Sequence, residues 1–343
     1  MITNIQFLRA FAALSVVIYH TNFYFRDGVH TEFQGVAIFF VISGFIMTYI
    51  SRNDPTGFFY KRCIRIIPLY LLLTLALFFA KLKALLPFEI FHYLANNEGA
   101  DRGLTLEVLV KSLFFIPYKN YVGNWQPVNA VGWTLNLEMY FYVLYSIALL
   151  ISIRFAPAIV SIVVLSVNLF GGACAADECV FYAHDYTNYF VLGIVAYYLW
   201  RAATPLLANT KIYTMNFTAL LVVVIFLLWH LSPEFIALFS REFITVMNYL
   251  LPFLVVATAL FLHSTKIQCN WKPILILGEA SYALYLVHTL VIGQMRSMGY
   301  VIDAQSGLGM LMLVVGISSL IAITLHYRVE RPVAHYLRSV LFK

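Results

Sequence analysis

The chain has 343 residues, 62% of them hydrophobic and 11% charged, less than half the charge of an ordinary soluble domain. A mean hydropathy of +0.83, with 29 Phe, 23 Tyr and 5 Trp, excludes a water-soluble enzyme and a disordered chain, and makes lipid the solvent of most of the surface. Four cysteines exclude a disulfide scaffold, and the net charge of +6 holds no basic run longer than Lys61-Arg62, so no nucleic acid is expected as a partner.

Ten apolar stretches approach the length of a bilayer span, at 5–25, 34–50, 66–86, 131–153, 157–171, 187–200, 214–231, 243–263, 274–294 and 306–326. The chain therefore reads as one all-α domain over 1–343, a polytopic membrane bundle of about ten transmembrane helices, with no repeat or linker dividing it. Spans five and six are short, which leaves a tilted, re-entrant or merged element open there. With the N-terminus in the cytoplasm, 14 of the 22 Lys and Arg fall inside and 8 outside, while most carboxylates fall outside. The positive-inside rule thus predicts both termini cytoplasmic and explains the basic balance without a polyanionic partner.

The first span carries Arg9 and His20. Arg9 interrupts the apolar run and no basic region precedes it, so the segment reads as a retained helix rather than a cleaved leader. Eleven residues at about 100° each bring the two groups to nearly the same helix face, about 16 Å apart along the axis. Ionisable groups within a span are functional candidates. Arg9 suits an anionic ligand arriving from inside, or a side chain snorkelling to inner headgroups. His20 suits general-base chemistry, or a satisfied interfacial histidine.

Span two contains Ser43-Gly44, where a serine bonded back to its own helix and a glycine permitting close packing are expected. At the inner entrance of span three, Arg62 and Arg65 share a helix face and are shaped for phosphate, although topogenic arginines have the same look. The longest extramembrane stretch, 87–130, holds a predicted interfacial helix from Leu104 to Ile116 with a Glu107–Lys111 pair at i, i+4. Trp125 and Trp133 read either as faces on which a sugar stacks or as interfacial anchors. Glu138, early in span four, either pairs a cation or binds a sugar hydroxyl. Cys174 and Cys179 fall in a predicted outer loop, where a disulfide is permitted. In span nine, Ser281 and His288 lie seven apart on one helix face.

The chain contains no Gly-x-x-x-x-Gly-Lys-Ser/Thr loop, no His-Glu-x-x-His or Cys-x-x-Cys pair and no Gly-x-Ser-x-Gly elbow. A nucleotide-binding loop, a metal and a serine-hydrolase nucleophile are not expected.

Six pieces in order resemble the acyltransferase-3 family of integral membrane acyltransferases, especially the exopolysaccharide and O-antigen O-acetyltransferases. They are Arg9 through His20, Gly35 to Phe45, Arg62-x-x-Arg65-Ile-x-Pro68, Trp133-Thr-Leu-x-x-Glu138, Ser281-Tyr-x-Leu-Tyr-Leu-x-His288 and Val329-Glu-Arg-Pro332. The resemblance implies acetyl-CoA as acyl-donor co-substrate from the cytoplasmic side, no metal, and an envelope glycan or glycolipid acceptor. It implies a bacterial inner membrane protein in contact with lipid, with a homo-oligomer compatible. Carried over, His20 and Arg9 are catalytic; Arg9, Arg62 and Arg65 serve the donor; Glu138, Trp133, Ser43, Ser281 and His288 support or contact substrate. Two positions depart from the pattern: Ala37 stands where many relatives have an acidic residue, and Thr134 replaces the usual serine but keeps the hydroxyl. On composition alone, a lipid-linked glycan transporter or flippase and a succinyl or longer-chain transferase remain rivals.

Overall fold

The computed structural model describes residues 2–25, 34–83, 105–120, 123–174, 176–207, 212–231, 236–297 and 307–342, and these are helical and strand-free. All ten predicted apolar stretches are occupied by helices: α1 Thr3–Phe25, α2 Gly35–Asn53, α3 Phe58–Lys83, then the short outlying α4 Leu106–Leu113, α5 Gly132–Ile151 and α6 Ala156–Phe170. A second short helix, α7 Asp177–Tyr182, precedes α8 Thr187–Leu207, α9 Ile212–Leu231, α10 Arg241–Ser264, α11 Lys272–Glu279, α12 Ser281–Ser297, α13 Gly307–Leu325 and α14 Arg331–Leu341.

Among the described residues, six helices are long and apolar enough to cross a membrane, or seven if one bent pair is a single span. This supports a multi-pass membrane protein with fewer qualifying spans than the ten expected. One difference is α1, which is absent from the six although it is 23 residues long. It occupies the middle of the bundle, packed against α2, α10, α11, α12 and α13. Its buried Asn4, Gln6, Arg9, Ser15, Thr21 and Asn22 face protein rather than lipid. A helix surrounded by other helices is free to be polar where its neighbours supply partners. The ninth predicted stretch, 274–294, is not one straight span: α11 and α12 meet at Ala280 with a bend of 76°. Span three begins at Phe58 rather than 66, which puts Arg62 and Arg65 one to two turns inside α3 instead of at its entrance.

The α2–α8 crossing is set by glycines. A Cβ on Gly44 would lie 2.1 Å from the Phe190 carbonyl oxygen, and one on Gly193 would lie 2.1 Å from that of Val41. Only hydrogen fits there, as at small-residue membrane helix contacts. Phe190 stacks on Phe141 of α5 at 4.1 Å and on Phe40 of α2 at 4.5 Å, so three helices share one aromatic stack.

α13 continues through a π-helical turn, His326–Glu330, into α14, an element not anticipated from the sequence. His326 Nδ1 lies 2.9 Å from Glu330 Oε2 across that turn. On the outlying side, Thr105 caps α4 by accepting from the Val108 N–H, and the expected Lys111–Glu107 pair is present at 2.6 Å. α4 is shorter than the predicted 104–116 and seats Leu109 against Phe78 and Val128. Cys174 and Cys179 are disulfide-bonded, with Cα atoms 6.0 Å apart.

Candidate active site

Two neighbouring cavities contain nearly all the singled-out residues, and Val36 and Tyr285 line both. The first is built around a histidine pair. Packing of α1 on α12 brings His288 Nε2 to 3.0 Å from His20 Nδ1, with ring centroids 5.0 Å apart. His288 is 0% exposed, and its Nδ1 lies 3.2 Å from the Leu284 carbonyl one turn back. A carbonyl only accepts, so His288 carries its proton on Nδ1 and, as a neutral ring, presents a bare Nε2. His20 Nδ1 faces that lone pair and the Val16 carbonyl at 3.1 Å, two acceptors, so it must hold the proton. The neutral His20 ring then keeps its own lone pair on Nε2.

The histidine cavity measures about 230 Å³, on the order of fifteen times what one water needs. Ser15 and Tyr19 of α1 line it with His20, and Gln34, Trp133 and Tyr186 complete its polar and aromatic wall. α2 approaches α1 closely here because Gly35 has no Cβ; one would sit 2.3 Å from Ser15 Oγ and 2.4 Å from the Ala12 carbonyl. Trp133 lies edge-on to Tyr186, centroids 5.7 Å apart, and 5.3 Å from the His184 ring. Outside the spans, burial holds the His184 imidazole below its ordinary pKa, so at neutral pH its Nδ1 accepts from the Tyr186 N–H at 3.2 Å. Trp125 instead packs on Phe181 at 5.0 Å with Lys119 above its ring.

The second cavity, about 70 Å³, is lined by Arg9, Arg62 and Arg65 together with Glu138, Ser43 and Ser281. Three guanidinium groups face one carboxylate, so the walls carry a net positive charge. Glu138 is well held: Ser43 Oγ donates to Oε1 at 3.1 Å, and Tyr142, one turn along α5, donates to the same oxygen. Ser43 therefore bonds across to α5 rather than back to its own helix as expected, because a carboxylate is the stronger acceptor. Arg9 is 6% exposed and donates to Gln6 Oε1 at 3.2 Å. Arg62 is 8% exposed, yet its Nε and Nη1 have no hydrogen-bond partner among the described residues. Unpaired buried donors on a cation are costly, and an anion entering the cavity would satisfy them.

Each site residue carried over from the family resemblance borders one cavity or pairs with a residue that does, whereas Trp125 reaches neither. Arg9, Ser43, Arg62, Arg65, Glu138 and Ser281 converge on one; His20 and Trp133 line the other, and His288 supports it from behind. Tyr142, Tyr285 and Gln34 were missed. The i, i+4 spacing of Glu138 and Tyr142 was a readable signal; nothing local marks Gln34. Ser281 and His288 share a helix face but serve different cavities. Ala37 is buried in α2 and brings no carboxylate to either cavity. Among the described residues, no group of three or more His, Cys, Asp or Glu converges.

A family model described as an acyltransferase domain matches residues 2–328. The chain is similar to the exopolysaccharide production protein ExoZ of Rhizobium meliloti, 29% identical over 306 residues that cover 87% of this chain and 88% of the relative. It is 25% identical over 328 residues to a Bacillus subtilis protein named "Putative peptidoglycan O-acetyltransferase YrhL", covering 85% of this chain and 48% of that one. A Staphylococcus aureus protein named "Putative O-acetyltransferase" is 24% identical over 338 residues, with 89% and 52% covered. The chain thus spans most of the first relative and about half the length of the other two. No solved structure matches it.

Proposed function

The chain belongs to the acyltransferase-3 family matched by its residues 2–328, and from that premise we propose that it transfers an acetyl group from acetyl-CoA to a sugar hydroxyl of an envelope or extracellular polysaccharide. One observation carries this reading: an anion-accepting arginine cavity and a cavity with a base-competent histidine adjoin, with Tyr285 and Val36 in the wall of both. The donor enters from the cytoplasmic side of the bacterial inner membrane. Its phosphates are held by Arg62 and Arg65, with Arg9 deeper, and its thioester reaches toward His20. The acceptor sits in the aromatic cavity. The O-acetyltransferase names of two relatives support acetyl, and the name of the first supports an exopolysaccharide as acceptor.

The transfer follows from the tautomer. His20 Nε2 takes the proton of the attacking hydroxyl as its oxygen bonds to the thioester carbon. The tetrahedral intermediate collapses, the C–S bond breaks, and the imidazolium returns the proton to the departing sulfur, leaving an ester and the free thiol. His288 holds the His20 ring and tautomer and delocalises the charge that forms on it. Glu138, fixed by Ser43 and Tyr142, keeps the arginines apart and aimed into the cavity. A positioned base contributes on the order of 10²–10⁴ in rate.

The deciding experiment is glycan acetylation in cells carrying His20→Ala at equal protein levels, read by mass spectrometry of the isolated polysaccharide. Loss of acetyl is expected; near wild-type acetylation overturns the assignment. The mass of the group lost separates acetyl from succinyl transfer.

A further inference from the structure

Among the polar groups of the histidine cavity that the proposed chemistry leaves unused is Gln34. Gln34 precedes α2 with φ 47°, in the left-handed region that a residue with a side chain occupies only at a cost. Its side-chain orientation can be deduced. The indole N–H of Trp229 in α9 can only donate, and it lies 3.0 Å from Asn248 Oδ1 in α10, so that atom is the oxygen of the amide. Asn248 is further fixed by Tyr189, whose hydroxyl donates to its backbone carbonyl at 3.0 Å. The Gln34 atom 3.1 Å from Asn248 Oδ1 must therefore be Nε2, donating. Oε1 is turned the other way, buried and without a hydrogen-bond partner among the described residues. A buried carbonyl left unpaired is destabilising, and native proteins retain few of them.

We propose that Gln34 is the acceptor-selecting residue: its Oε1 accepts a hydrogen bond from a second hydroxyl of the saccharide, neighbouring the one that His20 deprotonates. The proposal rests on the acetyl-transfer reading and deepens it. It defines the acceptor as a sugar with a free hydroxyl beside the acylated position, and it makes Trp229 and Asn248 positioning residues for that choice. An acceptor-only oxygen held by a donor-locked amide discriminates against a sugar whose neighbouring hydroxyl is blocked or missing, because the oxygen then stays buried and unpaired.

The test uses the full chain in lipid nanodiscs, acetyl-CoA labelled in the acetyl group, and de-O-acetylated envelope polysaccharide from a strain lacking the gene. Gln34→Met keeps the side-chain shape and removes the oxygen. It is expected to raise the acceptor KM roughly two- to tenfold, the loss of one neutral hydrogen bond, with acetyl-CoA affinity within about twofold of wild type on the same principle, since no donor contact is touched. Trp229→Phe, which releases the Asn248 amide to turn over, should raise the same KM by a smaller factor. An unchanged acceptor KM in both variants overturns the proposal. So does a parallel fall in acetyl-CoA affinity, which marks a purely structural role. Wild-type protein that labels no polysaccharide overturns the acetyl-transfer reading itself, whereas active wild type with an unaltered Gln34→Met overturns only the selection.

Discussion

The two cavities lie side by side, yet they are built on opposite physical terms. The arginine cavity is small, about 70 Å³ against about 230 Å³, and its otherwise mostly apolar and aromatic walls carry the full charges of Arg9, Arg62, Arg65 and Glu138. The histidine cavity is walled by aromatic rings, valines, the Gln34 amide and the hydroxyls of serine and tyrosine. Three guanidiniums around one carboxylate can persist inside a helix bundle only if water or an anion reaches them. The histidine cavity has the reverse character: among the described residues, neither His20 nor His288 has a carboxylate hydrogen-bond partner that would favour the charged ring. On the proposed reading, donor binding and proton transfer are separated by one shared wall, and each half should fail independently.

The sharpest way to break this division is His20→Ala, which should lower transfer by at least about 10², the smaller end of a positioned base, while acetyl-CoA still binds. A parallel loss of donor binding, measured by titration of the purified protein, would merge the two cavities into one site. Arg62→Met keeps the apolar stem and removes the unpaired guanidinium. It should weaken acetyl-CoA binding by roughly ten- to a hundredfold, the scale of a hydrogen bond to a charged group, and leave the acceptor KM alone. Next comes His288→Phe, which fills the space but takes away one of the two acceptors facing the His20 Nδ1 proton, leaving the Val16 carbonyl. We expect kcat to fall about fivefold to tenfold, the worth of one buried hydrogen bond, with both affinities kept. Gly44→Ala acts on neither cavity directly. The added methyl would meet the Phe190 carbonyl, so thermal stability should drop with an overpacking cost of about 1–3 kcal/mol, and donor and acceptor binding should fall together. Smallest of all, Glu107→Gln breaks an exposed pair on α4, and neither melting temperature nor transfer should move measurably.

Part of the candidate site is legible in single-helix spacings. The eleven-residue spacing of Arg9 and His20 put them on one face at different depths, and the structure gives each its own cavity along α1. The three-residue spacing of Arg62 and Arg65 put both on one face of α3, and they line the same cavity. These are properties of a single helix, fixed by its 3.6-residue turn. What was not readable lies between helices. His20 and His288 are 268 residues apart and nothing local pairs them. Ser43 looked like a self-bonded serine until Glu138 arrived from α5. The break at Ala280 falls inside a segment whose composition reads as continuous helix, and the π-helical turn at His326–Glu330 carries the chain past the end of the tenth predicted stretch.

Composition and hydropathy are enough to read this chain as a lipid-solvated helical protein, to place its long apolar helices, and to pick out the residues too polar for hydrocarbon. Which helices touch, which histidine carries which proton and which way the Gln34 amide points come from the packed fold. The reason is physical. In water, an apolar stripe tells a helix which face must find a partner. In a bilayer, lipid satisfies that stripe as well as another helix does, so the choice of neighbour passes to glycine contacts and interhelical hydrogen bonds. Those contacts join positions hundreds of residues apart, and no local pattern records them.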